Sequence, residues 1–269
     1  MAALVDVKAD SAGQQSSFLV RLMWQVGLLA LFLLWWELAV IGNPSRQFWI
    51  SRPSLIANRL VEEMLHGRIF YHVGLTMAEA VVGLLAGAII GIALGMVLGT
   101  FRAVGDIFEP FIMAINSIPR IALAPFMVMY FGIGFLPKAV LAFSLVVVVV
   151  MLSTIEGIRS VDPLRLNTFR VMRATRWEIF AKCLLPNSVP YIITSIRISV
   201  SLALIGALVG EFIAARGGIG YLITEAAGAF DVTGMIVPLF LIVVVAVLAD
   251  YLLRVTERRM VRWRKPLQL

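Results

Sequence analysis

Reactive side chains are scarce in this sequence. It holds one cysteine, Cys183, and two histidines, His66 and His72, too few for a disulfide scaffold or a zinc site. Both histidines fall in a polar connector between apolar runs, so an intramembrane enzyme would find no nucleophile–base pair here. No G-x-x-x-x-G-K-[ST] phosphate loop occurs. The Gly217-Gly218-Ile219-Gly220 cluster lacks the lysine and follows no expected strand, so it is no nucleotide site. The side chains that remain belong to two other kinds of chemistry: gripping a partner and lining a polar path.

Residues 162–186 carry the first kind. Asp162 followed by Pro163 signals a helix start, and Leu164, Leu166, Phe169, Val171 and Met172 give that helix an apolar side. Thr175-Arg176-Trp177-Glu178 fits a capping box, in which Thr175 and Glu178 satisfy each other's backbone donors. A second helix over about 176–184 is expected to stop at Leu185-Pro186, because the residue before proline resists the α region. Three readings compete for this pair of short helices. DNA binding by a helix-turn-helix is dismissed, because apolar runs flank the segment on both sides. A passive amphipathic stretch on the bilayer is the bland reading. The third is a knob presented to a soluble partner, with Trp177 as the kind of anchor that dominates interfaces.

The second kind of chemistry gathers at a proline-broken apolar run. Pro119 and Pro125 flank Arg120, with Asn116 and Ser117 just before. Proline frees a carbonyl and bends a helix, which a bilayer tolerates only where protein or water satisfies the backbone. An arginine and an asparagine at that bend disfavour a lipid-facing position. Asn116, Ser117 and Arg120 are therefore expected to line a translocation path, joined by Ser195 and Ser199 from a later run. Glu79, Glu109 and Glu211 sit near the ends of apolar runs and are expected to meet headgroups or interfacial water.

The elements that must position these groups are membrane spans. Of the 269 residues 61% are hydrophobic and 14% charged, against roughly 45–50% and about 25% in soluble domains. Apolar runs at about 22–41, 75–100, 107–132, 137–153, 189–212 and 235–253 predict an all-α integral membrane protein with six spans in a domain over 22–254. A cytosolic tail is expected at 1–21 and another at 255–269, with a long charged loop at 154–188. Between the first two runs, Ile56, Leu60, Met64 and Leu65 mark an amphipathic stretch lying at the surface. With the N-terminus inside, the inward segments hold 15 Lys and Arg against 6 outside, Lys138 among the six. That asymmetry places both termini in the cytoplasm, although Arg46, Arg52, Arg59 and Arg68 crowd the first external loop. The net charge of +7 is divided among short loops and does not point to nucleic acid.

Two ridges of small residues stand out. Gly83, Gly87, Gly91, Gly95 and Gly99 recur every fourth residue and predict a face against which another helix packs closely. Ser195, Ser199, Ala203, Gly206 and Gly210 form a comparable ridge, open to packing or to a polar path.

The segment Arg170–Tyr191, RVMRATRWEIFAKCLLPNSVPY, with Gly210-Glu211-Phe212, Gly218-Ile219-Gly220-Tyr221-Leu222 and residues 118–134, IPRIALAPFMVMYFGIG, resembles the permease subunit of bacterial ABC importers. The nearest branch is the nitrate/sulfonate/taurine/bicarbonate group, and the likeness covers about 50–260. It implies the type I importer permease fold, in the bacterial inner membrane, with residues 162–186 as cytoplasmic coupling helices. The family motif there reads Glu-Ala-Ala, three residues, Gly, nine residues, Ile-x-Leu-Pro. This sequence keeps Leu185-Pro186 but has Asn167, Thr168 and Phe169 at Glu-Ala-Ala, Arg173 at Gly and Cys183 at Ile. Arg165, Arg173, Ala174, Thr175, Arg176, Trp177 and Glu178 would then meet the ATPase, with Leu185 and Pro186 setting the exit angle. Any φ > 0 geometry at Arg173 would be strained.

The resemblance further implies that ATP and its magnesium are bound by partner ATPase subunits, with no cofactor in this chain. It implies a second permease copy or a relative, and a binding protein delivering a small anionic solute such as nitrate, a sulfonate or taurine. An ion-coupled secondary transporter is the alternative. It would use a mid-span acidic pair or inverted repeats, and neither is visible in the sequence.

Overall fold

In the computed structural model the chain is described over residues 3–260, with side chains from Val20 to Leu252 apart from residue 44. The basic residues counted in the two terminal tails fall outside the described side chains, except Arg21. The described elements are all helical: α1 (Ala3–Val40), α2 (Pro44–Ile50), α3 (Pro53–Leu65), α4 (Arg68–Thr100), α5 (Arg102–Ser117), α6 (Ala124–Phe131), α7 (Phe135–Arg159), α8 (Pro163–Val171), α9 (Arg176–Ile179), α10 (Leu185–Ile213), α11 (Ile219–Gly228) and α12 (Val232–Met260). A 3₁₀ turn over Arg120–Leu123 joins α5 to α6, and a π-helical stretch over Phe180–Leu184 joins α9 to α10.

Among the described residues five stretches are long and apolar enough to cross a membrane: Val20–Val40, Arg68–Thr100, Phe135–Arg159, Arg176–Ile213 and Val232–Leu252. α5 and α6, bent by 74° at the break around Pro119, bring the number to six when the pair is taken as one broken span. An all-helical build is what lipid demands, since no water is there to satisfy open backbone. Six spans agree with the apolar runs, but several bounds move. The first span, Val20–Val40, keeps its place within a helix that reaches back to Ala3, while the fourth runs on to Arg159 instead of stopping at 153.

The core is a three-helix slab with α7 in the middle. α4 lies parallel to it: a Cβ at Gly83 would stand 2.5 Å from Ala142 Cβ, one at Gly91 2.6 Å from Val147 O, and one at Gly99 3.0 Å from Ile158 Cβ. The whole glycine ladder is thus spent on α7, as expected of a close-packed face. α10 runs antiparallel on the other flank, where Gly206 meets Ala142 and Gly210 meets Lys138. Ala142, Val146, Val150, Ala203, Leu204 and Ala207 fill the space between. α11 and α12 close one end and one side, and α3 lies against α12 and α4. α1 touches chiefly α2 and α3 and leaves apolar side chains such as Trp24, Leu28 and Trp35 exposed all round, as suits a helix bathed in lipid.

Candidate functional site

The knob at 162–186 forms as its caps dictate. Asp162 Oδ1 accepts the Leu164 N–H at 2.9 Å and Pro163 occupies the first turn of α8. After α8 the chain reverses through Arg173, whose φ is +53°. The Arg173 N–H donates to Arg170 O and the Ala174 N–H to Phe169 O, both at 3.0 Å, so helix-end carbonyls are satisfied in return for a left-handed residue. The capping box is complete: Thr175 Oγ1 accepts the Glu178 N–H at 3.2 Å, and Glu178 Oε2 accepts the Thr175 N–H at 2.9 Å. At about 1.5 Å per residue, a helix from 176 to 213 far exceeds the roughly 30 Å hydrocarbon layer, and the charged Arg176, Glu178 and Lys182 mark its first turns as the end outside it. There the Thr175 N–H and hydroxyl, with the Lys182 ammonium, hold the exposed Glu178 carboxyl down to about 2.

Leu185-Pro186 does not end a helix, contrary to expectation. Leu185 has φ −62° and ψ −49°, and the chain passes through the π-helical stretch straight into α10. In a regular helix the Pro186 ring would strike the carbonyl of Lys182. That carbonyl lies in the wider π turn, which admits the ring without breaking the helix. The second short helix of the knob is therefore one end of the long helix that continues as α10. The other end of the knob is anchored too. Asn187 Nδ2 donates to Gly157 O at 2.9 Å and Ser160 Oγ at 3.1 Å, tying the start of α10 to the end of α7.

The outer surface of the knob is apolar and basic. Trp177 is 72% exposed, with its ring 5.6 Å from that of Phe180, and Leu164, Val171 and Met172 are also open. Arg165, Arg170, Arg173 and Arg176 are exposed around them, and Ala174 is half-buried at the turn.

The expected path residues do not share one surface. Asn116 Oδ1 accepts from Arg120 Nη2 at 2.8 Å, and Arg120 Nη1 donates to Ser144 O at 2.9 Å and Leu145 O at 3.4 Å on α7. The guanidinium thus bridges the break between α5 and α6 to the core. Ser117 Oγ donates to Met113 O within its own helix. Ser195 and Ser199 are buried inside the slab, Ser195 donating to Ile192 O, so in this state they pack rather than face an opening.

A second polar site was missed. Glu79, Glu211 and Lys138 are 0%, 1% and 3% exposed, so neither carboxylate meets headgroups, and Lys138 is no loop charge. Lys138 Nζ bonds Glu79 Oε1 at 2.8 Å across α7 and α4. Glu109 is the one of the three that stays open, 3.8 Å from Arg159. His72 is likewise buried on α4 and not in a surface connector: its Nδ1 accepts the Gly218 N–H at 2.9 Å. Thr76 Oγ1 accepts the Ile219 N–H at 2.8 Å and donates to Glu211 Oε1 at 2.7 Å, and Glu211 Oε2 accepts the Gly220 N–H at 2.6 Å. Three successive amides at the start of α11 are thus received by side chains of α4 and α10. Gly218, at φ +115°, lies so close to the Glu211 carboxylate that a Cβ there would collide with it. One signal was available in the sequence: His72, Thr76 and Glu79 continue the face of the glycine ladder. Among the described residues no group of three His, Cys, Asp or Glu is arranged to hold a metal ion.

Residues 73–262 match the family model described as binding-protein-dependent transport system inner membrane component. The riboflavin transport system permease protein RibX of Chloroflexus aurantiacus is 30% identical, over 87% of this chain and 88% of its own. The formylaminopyrimidine transport permease protein ThiX of Halalkalibacterium halodurans is 29% identical over 86% and 91%. The taurine transport system permease protein TauC of Escherichia coli is 27% identical over 90% of each. Among solved structures, an inward-facing conformation of the MetNI methionine ABC transporter covers 74% of this chain and 97% of its own, with a TM-score of 0.61 at 23% identity.

Proposed function

The chain belongs to the family of binding-protein-dependent transport system inner membrane components, the permease subunits of ABC importers, and on that premise we propose that residues 162–186 are where an ATPase subunit drives it. The observation that carries this reading is the exposed knob of Leu164, Val171, Met172 and Trp177, ringed by arginines and continuous with α7 and α10. Large apolar side chains rimmed by charge are the makings of an interface core and its rim. A pull on the knob passes into α10 and, through the Asn187 bonds, into α7 at the centre of the slab.

The knob lies on the cytoplasmic side of the inner membrane, together with both termini. With Lys138 buried, the outward count of Lys and Arg falls to five, and Glu62 and Glu63 sit within 3.9 Å and 3.4 Å of Arg59. Two such permeases enclose the path, a binding protein delivers solute to the outer face, and the ATPases bind ATP and magnesium. Nucleotide biases the gate only through its different affinity for the two states, and reversing a 1:99 population takes about 5.5 kcal/mol of difference.

For the solute, the reading best supported is a small neutral heterocycle. The two relatives named above at 29–30% identity are named for riboflavin and formylaminopyrimidine, and Arg120 is engaged by Asn116 and two carbonyls instead of standing free for an anion. A taurine- or sulfonate-like anion is the second reading, favoured by the taurine relative. Equilibrium binding of both solute classes to the partner binding protein decides between them.

The double variant Arg176→Ala/Trp177→Ala, assembled with its ATPase and binding protein in liposomes, is expected to insert and fold normally. It should lose most solute-stimulated ATP hydrolysis and uptake. Normal stimulation in that variant removes the docking assignment.

A further inference from the structure

The buried cluster at the start of α11 is one positive charge short. Glu79 and Glu211 bring two carboxyl groups and Lys138 brings one ammonium, all within the slab. His72 adds no charge, because its Nδ1 accepts the Gly218 N–H and its proton is therefore on Nε2. Thr76 has a single hydroxyl proton, directed to Glu211 Oε1 or to His72 O, while its oxygen receives the Ile219 N–H. The partial positive charge at the start of α11 offsets only part of the deficit.

One atom localises the missing charge. Glu79 Oε1 takes the Lys138 bond, but Glu79 Oε2 is fully buried and has no hydrogen-bond partner. Its carboxyl is brought beside that of Glu211, because Thr76, one turn earlier on α4, bonds Glu211, and Lys138, which bonds Glu79, packs on Gly210 next to Glu211. Two ionised carboxylates so placed repel, and a buried acceptor left unmade is costly. The groups facing the pair are Thr76 and His72 from α4, Lys138 from α7, and from α11 its amide N–H groups and Tyr221, whose ring stacks on His72 at 5.9 Å. Glu63, Arg68 and Glu225 stand further out, around His72. None of them donates to Glu79 Oε2.

We propose that Glu79 and Glu211 share one resident proton, carried on Glu79 Oε2 and donated to Glu211, and that this proton fastens the amino end of α11 to α4 and α10. The proton comes from water during assembly and no bond other than O–H is formed. It neutralises the cluster, gives Glu79 Oε2 its missing partner, and leaves Glu211 as the carboxylate that receives the Gly220 amide.

Infrared spectroscopy of the assembled transporter in lipid at neutral pH tests this. The wild type should show a protonated-carboxyl C=O stretch that shifts in D₂O, vanishes in Glu79→Gln and persists in Glu225→Gln. Glu79→Gln, which mimics the protonated acid, should also keep α11 in place, read as unchanged protease resistance of the 214–231 segment. If Glu79→Gln does not assemble, Thr76→Val serves instead and should move the band by removing a hydrogen bond to Glu211. Absence of the band in the wild type overturns the proposal, as does its survival in Glu79→Gln or its indifference to Thr76→Val. A sodium ion at the same oxygens would give no such band and a protection that depends on sodium concentration, and would overturn it equally.

Discussion

Arg173 occupies backbone that glycine enters freely and arginine does not. Its φ of +53° carries about 1–2 kcal/mol of strain, held by the bonds to Arg170 and Phe169. Arg173→Gly is expected to raise the melting temperature of the assembled complex slightly, and Arg173→Val to lower it, because a β-branched side chain tolerates this region worst. A melting curve in which the glycine variant is the less stable would contradict that account. The turn was legible in the sequence because its determinants are local: Asp162, Pro163, Thr175 and Glu178 each act within three residues. The buried charges were not. Nothing near Glu79 in the sequence reveals that Lys138, 59 positions away, comes within 2.8 Å of it. An acidic residue near the end of an apolar run reads as interfacial until the neighbouring helix is known. Removing Lys138 alone, as in Lys138→Met, is expected to cost about 3–5 kcal/mol by leaving the buried Glu211 carboxylate without a counter-charge, seen as a large loss of folded complex after detergent extraction.

At the scale of elements, spacing carried most of the information. The glycine ladder of α4 announced a close neighbour, and the structure supplies α7 as that neighbour along its full length. Gly87→Leu is expected to force α4 and α7 apart, because even a Cβ there stands 2.7 Å from Val146 Cβ. The measurement is the fraction of monodisperse complex by size-exclusion chromatography, and it should fall severalfold. Gly132→Ala, where nothing lies within 4 Å but φ is +77°, should instead cost only local strain. The proline rule failed at Leu185-Pro186, and the reason is physical. Proline forbids a narrow turn, while a π turn displaces the offending carbonyl and lets the helix continue. That continuity is what would let the knob, as the proposed docking site, act as a lever and not a separate flap.

At the scale of the molecule, orientation is the property on which the proposed coupling depends. Cys183 is the only cysteine and is buried, so a Trp177→Cys variant carries one accessible thiol. In inside-out membrane vesicles lacking the ATPase it should react with an impermeant maleimide, and in sealed right-side-out vesicles it should not. The opposite pattern would place the knob outside and end the proposed mechanism. The sequence alone determined that this is a six-span helical protein, that one loop folds into a capped helix pair, and that α4 presents a smooth face, since hydrophobic period, caps and small-residue spacing are all read along the chain. Tertiary structure alone decided that Ser195 and Ser199 are interior, that Arg120 braces a broken span, and that Glu79, Glu211 and Lys138 meet around the start of α11. Those outcomes depend on which helices become neighbours and at what rotation, and a charge placed between helices is worth what the opposite helix brings to it.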